Sequence, residues 1–330
     1  MRLGRAHRLL SAFFLVLAVA GTATVVAGTS SGASSYATKP TDPGPINLHA
    51  IPLGDGYTAT TPKIGYVDSC QTSFNPNAGG SQVDGPWIDQ SAKTWDYTAK
   101  LAIQGSVSWR QASYKVTVSG MKRLLEFNDL PIDHSTGTFP VSANDPAYKY
   151  DFNPNHIVAH QESWSLALNP AAASKPSCVG MGAIGVLNDG VVLYNALDGE
   201  GRDAGAHEVL DGCAGHPDQS YTYHHHDVPP CILDKIKNRT TQLVGYALDG
   251  FGIYVVKDAK GNLPTNTKLD ACHGTTSAVM WNGRKTTIYH YVATIEYPYT
   301  VGCYHGTPIK IAAASAGSGG RQPPPPPPSP

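Results

Sequence analysis

Charge is scarce in this chain of 330 residues: Asp, Glu, Lys and Arg make up 15% of it, and 24 basic residues against 25 acidic ones leave a formal net charge of −1. So even a balance excludes the basic face that a nucleic-acid binder needs. Long helical periodicity is also missing. Short turns such as Ile232 to Asn238 are all the sequence offers, which excludes a bundle or a coiled coil. No Cys-x-x-Cys occurs, so the spacing of a zinc ribbon or a redox dithiol is absent. Beyond one apolar run near the start, no stretch is long enough to cross a bilayer.

What the chain has in quantity is turn formers and aromatic rings: Gly 34, Pro 26, Tyr 17 and Trp 5. Such a composition suits short strands joined by tight turns around an aromatic-rich core. Tyr114-Lys-Val116-Thr-Val118 alternates as a half-buried strand does, and Val107 with Trp109, and Trp164 with Leu166 and Leu168, do the same. The expected fold is mainly β, a sandwich or irregular barrel built around two pseudo-repeated hairpin units and stapled by disulfides.

The ends read differently. Arg2, Arg5 and Arg8 precede the apolar run from Leu9 to about Val26, and small residues follow, so residues 1–27 are expected to be a secretory signal peptide. Residues 28–46 read as a flexible Ser/Gly/Pro linker and 312–330 as a disordered Pro-rich tail ending in six consecutive prolines and Ser-Pro. The folded region is then 47–311. The expected location is outside the cell or in its envelope, with contact to an envelope or extracellular polymer, no nucleic acid, and no transmembrane segment once the leader is removed.

Export gives the six cysteines their meaning. Cys70, Cys178, Cys213, Cys231, Cys272 and Cys303 are an even set, and in an oxidising compartment disulfides are the default.

An internal duplication narrows the connectivity. Gly185 to Tyr194 matches Gly245 to Tyr254 without a gap, each copy placing Asp-Gly (Asp189-Gly190, Asp249-Gly250) between apolar stretches as a hairpin turn does. Leu210-Asp211-Gly-Cys213-Ala-Gly215 matches Leu269-Asp270-Ala-Cys272-His-Gly274. Tyr223-His224 matches Tyr289-His290, and Cys231 and Cys303 close the copies, which span 185–231 and 245–303. Pairing within copies, Cys213 with Cys231 and Cys272 with Cys303, leaves Cys70 for Cys178; cross-copy pairing satisfies the same symmetry.

The segment Leu210-Asp-Gly-Cys-Ala-Gly-His216, with Tyr223-His224-His225-His226 and Pro230-Cys231, resembles the YHYH-domain family of exported proteins. Tyr289-His290-Tyr291, Tyr297-Pro298-Tyr299 and Gly302-Cys303 continue the resemblance, as do Pro131 to Pro140 and Asn153-Pro154-Asn155 upstream. It extends over residues 107–306. Two departures from the name-giving motif stand out: His225 replaces the second tyrosine of the first copy, and Val292 the final histidine of the second. The family's activity is unassigned, so the resemblance implies export and a site without naming a reaction.

The histidines suggest the chemistry. On a strand, alternation puts His224 and His226 on one face and Tyr223 and His225 on the other. If His290 of the second copy joins them, three imidazoles converge, a ligand set for Zn²⁺ or Cu²⁺ with a position left for water or substrate. His216 is the candidate fourth ligand, and Asp189 and Asp249 could support the cluster through hydrogen bonds. Calcium is the weaker metal: Asp198-Gly-Glu200-Gly-Arg-Asp203 opens like a calcium loop but has Asp203 where glycine is required. His207-Glu208 starts like a zincin helix and lacks the second histidine. Three functions compete: a transition-metal-binding protein, a metal-assisted hydrolase or oxidase acting on extracellular polymers, and a non-catalytic envelope or carbohydrate-binding module. A buried hydrogen-bond network of Tyr and His would serve the last of these.

Overall fold

A computed structural model describes residues 46–311 apart from 77, 79, 80 and 82. The signal peptide at 1–27, the linker at 28–46 except for Ile46, and the tail at 312–330 lie outside the described residues.

A three-stranded antiparallel sheet comprises β1 (Tyr114–Ser119), β2 (Lys122–Phe127) and β3 (Glu162–Ala167). In β2 the alternation works as the sequence dictates: Arg123, Leu125 and Phe127 are buried, with Lys122 and Glu126 outward. In β1 it does not. That strand is an edge, and Val116 and Val118 on it are exposed rather than half-buried.

The larger sheet has eight strands: β4 (Ala183–Leu187), β5 (Val192–Tyr194), β6 (Gly215–Pro217), β7 (Tyr223–His225), β8 (Thr241–Ala247), β9 (Gly252–Val256), β10 (Gly274–Trp281) and β11 (Arg284–Val292). Their order is β6-β7-β5-β4-β8-β9-β11-β10. Antiparallel pairing of β4 with β8, Val186 opposite Tyr246, joins two halves of identical connectivity. In each half an antiparallel hairpin (β4–β5, β8–β9) is followed by a parallel pair (β5 with β7, β9 with β11) and an antiparallel outer strand (β6, β10). The sheet is open at both edges. Among the described residues there is no closed barrel, so the barrel alternative does not hold and a mainly β fold of several sheets does.

The hairpin turns obey the Asp-Gly signal. Gly190 and Gly250 sit at φ of +88° and +89°, where a side chain would be strained, and the preceding Asp189 and Asp249 each accept the amide two residues on. The main core packs on this sheet, with Leu187, Leu193, Ile253, Tyr254 and Tyr291 buried at its heart. A second core gathers Ile51, Trp87, Trp95 and Ile103 from the N-terminal segment around Ala206 and Val209. Disulfides join Cys70 to Cys178, Cys213 to Cys231 and Cys272 to Cys303, so the second and third each close one half of the sheet.

Candidate metal centre

The outer end of the first half carries the histidines. β6 and β7 are antiparallel partners with His216 directly opposite His224. Close approach of these strands requires Gly215: a Cβ there would strike the Tyr223 hydroxyl at 2.3 Å, and Gly274 stands in the same relation to Tyr289 at 2.2 Å. A one-turn helix, α1 (Ala204–His207), ends on Glu208 as its C-cap.

His216, His224 and His226 come together, each offering a ring nitrogen within 4.8 Å of the others. His224 donates from Nδ1 to the Thr222 carbonyl and His226 from Nδ1 to the Asn195 carbonyl. Nδ1 of each ring therefore carries a proton, and the two Nε2 atoms approach to 3.2 Å. Tyr194 holds His224 in place by stacking on it, ring centroids 3.9 Å apart, with its hydroxyl donated to Asp218. Both nitrogens of His216 are buried without a hydrogen bond, and its Nε2 lies 3.2 Å from Glu208 Oε2. That same oxygen is 3.0 Å from His226 Nε2 and is itself buried without a hydrogen-bond donor in line.

Solvent is excluded from the group: relative exposure is 4% for His216, 3% for His224, 3% for His226 and 7% for Glu208. Burial penalises every charged form here. It drives the His224 ring well below the usual histidine range, assisted by the neighbouring His216 and His226. Burial would raise the Glu208 carboxyl, but the facing His216 and His226 hold it well below its ordinary value. For His216, burial acts downward and Glu208 outweighs it, so that ring is shifted up. One carboxylate cannot neutralise three buried imidazolium ions, and burial leaves His224 neutral, with a lone pair on Nε2.

His290 does not join them. β7 and β11 are five strand positions apart in the sheet, or ~24 Å at the usual spacing. Its surroundings are its own: Nδ1 donates to the Ile288 carbonyl, Nε2 is buried without a partner, and Tyr254 meets the ring edge-on at 5.0 Å. The expectation that both copies turn their imidazoles to one point is corrected by the sheet order, which sends β7 and β11 into opposite halves.

Asp189 and Asp249 do not support the cluster either. They clamp the opposite face, Asp189 bonding His225 Nε2 at 3.0 Å and Asp249 accepting the Tyr291 hydroxyl at 2.5 Å. His134 completes a further group with Asp189 and His225 whose ligand atoms are close enough for a metal. There, however, His225 donates from Nδ1 to the Ala214 carbonyl and from Nε2 to Asp189, so its lone pairs are spent on a buried ion pair. The sulfurs of Cys213 and Cys231, near His134, are likewise committed to each other. Asp198 is closed to calcium by its own loop: it accepts the Glu200 and Arg202 amides and pairs with the Arg202 guanidinium at 2.7 Å.

Glu208 was not singled out as a ligand by the sequence. Its one signal is the His207-Glu208 pair, which lacks the second histidine of a zincin and lies at the C-terminal end of α1. His207 itself faces away, to Asp55 and Asp84.

No curated protein and no solved structure matches this chain. The family model described as YHYH protein matches residues 163–267, a stretch that contains Glu208, His216, His224 and His226 and stops short of His290. Over those residues the chain is shown to carry the YHYH domain that its motifs resemble.

Proposed function

We propose that this is an exported protein that holds a transition-metal ion, Zn²⁺ or Cu²⁺, among His216, His224 and His226. One observation carries the reading: three buried imidazoles converge in a dry interior, with Nε2 of His224 and Nε2 of His226 3.2 Å apart. Two ring nitrogens so placed share a proton or a metal ion, and imidazole is a preferred nitrogen ligand of both metals. Carbonyl bonds from the far nitrogens orient the rings, the usual outer arrangement for ligating histidine.

Export is supported by the three disulfides and by the absence of a free cysteine among the described residues. Within those residues no helix is long and apolar enough to cross a membrane. Burial of the cluster favours retention of the ion over turnover of an extracellular polymer, since a polymer cannot reach ligands that are 3–4% exposed.

The test is metal analysis of protein purified without chelators, beside His224→Ala/His226→Ala. About one zinc or copper per chain is expected in the wild type and none in the variant. Equal trace metal in both contradicts the reading.

A further inference from the structure

Glu208 is a charged side chain placed in a dry pocket with its Oε2 pointed at two imidazole nitrogens. The Oε2 to His216 and Oε2 to His226 distances are 3.2 and 3.0 Å, and the His224 to His226 distance is 3.2 Å. Four ligand atoms ~2.0–2.1 Å from a tetrahedral zinc ion are separated by ~3.3 Å. All three separations are close to that edge, as they are to ordinary hydrogen-bond lengths. Glu208 Oε2 and His216 Nε2 are both buried, and neither has a hydrogen-bond partner.

From this geometry we propose that Glu208 is the fourth protein ligand of the ion held by His216, His224 and His226, closing its coordination shell against water and substrate. The inference rests on the metal-binding reading above and deepens it. Three histidines alone describe an open site, the kind that activates water; three histidines and a carboxylate leave no position free. It also divides the functions considered for this chain, because a closed shell fixes the fold around α1, β6 and β7 and offers nothing to a hydrolase. Electrostatics fits the assignment: a carboxylate removes part of the ion's charge from an interior where an uncompensated charge is costly.

Cobalt provides the probe. Protein stripped by a chelator and reloaded with Co²⁺ is titrated with azide, and the visible ligand-field spectrum is followed. The wild-type spectrum is expected to be unchanged by azide, while Glu208→Ala, with an open position, gives a new spectrum that saturates. In parallel, competition with a chromogenic chelator should show Zn²⁺ affinity reduced at least ~10-fold in Glu208→Ala and in Glu208→Gln, the latter covering the case in which the alanine variant does not fold. An azide response in the wild type as large as in Glu208→Ala overturns the proposal, as does unchanged Zn²⁺ affinity in both variants. Failure of the wild type to take up either Co²⁺ or Zn²⁺ is a different result: it removes the metal-binding reading, and this proposal with it.

Discussion

Nε2 of His224 lies 3.2 Å from Nε2 of His226, and the other nitrogen of each ring already donates to a backbone carbonyl. The facing nitrogens therefore share a proton or a cation. If a metal ion joins them, binding is coupled to folding, because the unfolded chain has no such site. Chelation should lower the thermal midpoint, and Zn²⁺ in excess should restore it; at a free concentration a hundredfold above Kd the gain is ~2.7 kcal/mol. Differential scanning calorimetry with and without chelator checks this, and His216→Ala should abolish the difference. A midpoint indifferent to chelator contradicts it.

His216, His224 and His226 were legible because they share one short stretch, with His216 on β6 opposite His224 on β7 and His226 just after that strand. The wrong inclusion of His290 has a physical cause. Repeats advertise the residues they share, and those residues turn out to serve the framework: Asp211 and Asp270 cap equivalent turns and accept the hydroxyls of Tyr223 and Tyr289. The candidate centre uses mostly what the copies do not share. Thr275 stands opposite His290 where His216 stands opposite His224, and Val292 replaces His226. Thr267, three residues before Asp270, occupies the place that Glu208 holds before Asp211. Which half of a sheet a strand enters depends on long-range pairing, and local pattern carries no record of it. The mainly β class needs only alternation and turn chemistry, both of which are local.

Asp211 is fully buried and takes four donors: the amides of Gly137, Cys213 and Gly215 and the hydroxyl of Tyr223. Asp270, its counterpart, is exposed and takes the amides of Cys272 and Gly274 and the hydroxyl of Tyr289. Orphaning several buried donors costs ~1–3 kcal/mol for each. Asp211→Ala should therefore lose at least ~3 kcal/mol by urea unfolding and Asp270→Ala ~1 kcal/mol. Equal losses would show that burial does not set the difference.

Arg123 is buried between two rings, its guanidinium carbon 4.3 Å from the Tyr246 centroid and 4.4 Å from that of Trp281. It fastens β2 to strands β8 and β10 of the large sheet. A desolvated cation on an aromatic face is worth ~2 kcal/mol, and a planar guanidinium stacks where an ammonium does not. Arg123→Lys should cost ~2 kcal/mol in denaturant unfolding, and Arg123→Ala more. A neutral Arg123→Lys would mean that charge alone, not the stack, holds the sheets together.

Lys100 is buried in the second core region, donating to the Gly205 carbonyl. Burial pulls its pKa down from 10.5 to about 8, against the opposing pull of Asp227, Asp203, Glu208 and Asp151. Below pH 8 both folded and unfolded chains carry this proton, and the burial cost is constant. Between pH 8 and 10.5 the unfolded chain holds more protons at this site than the folded one, so the contribution of Lys100 to stability rises with pH, by ~3 kcal/mol over the full window. The stability difference between wild type and Lys100→Met should shift toward the wild type by that amount across those pH values. A difference independent of pH would place the lysine in a wetter setting.

The central claim is a metal ion among three imidazoles of one half of the sheet. It is tested most directly by anomalous diffraction at the zinc and copper edges, on crystals of protein purified without chelators. The account predicts one strong peak within bonding distance of Nε2 of His216, His224 and His226 and none beside His290. A map without a peak at the three histidines, or with the ion at His290 instead, would contradict it.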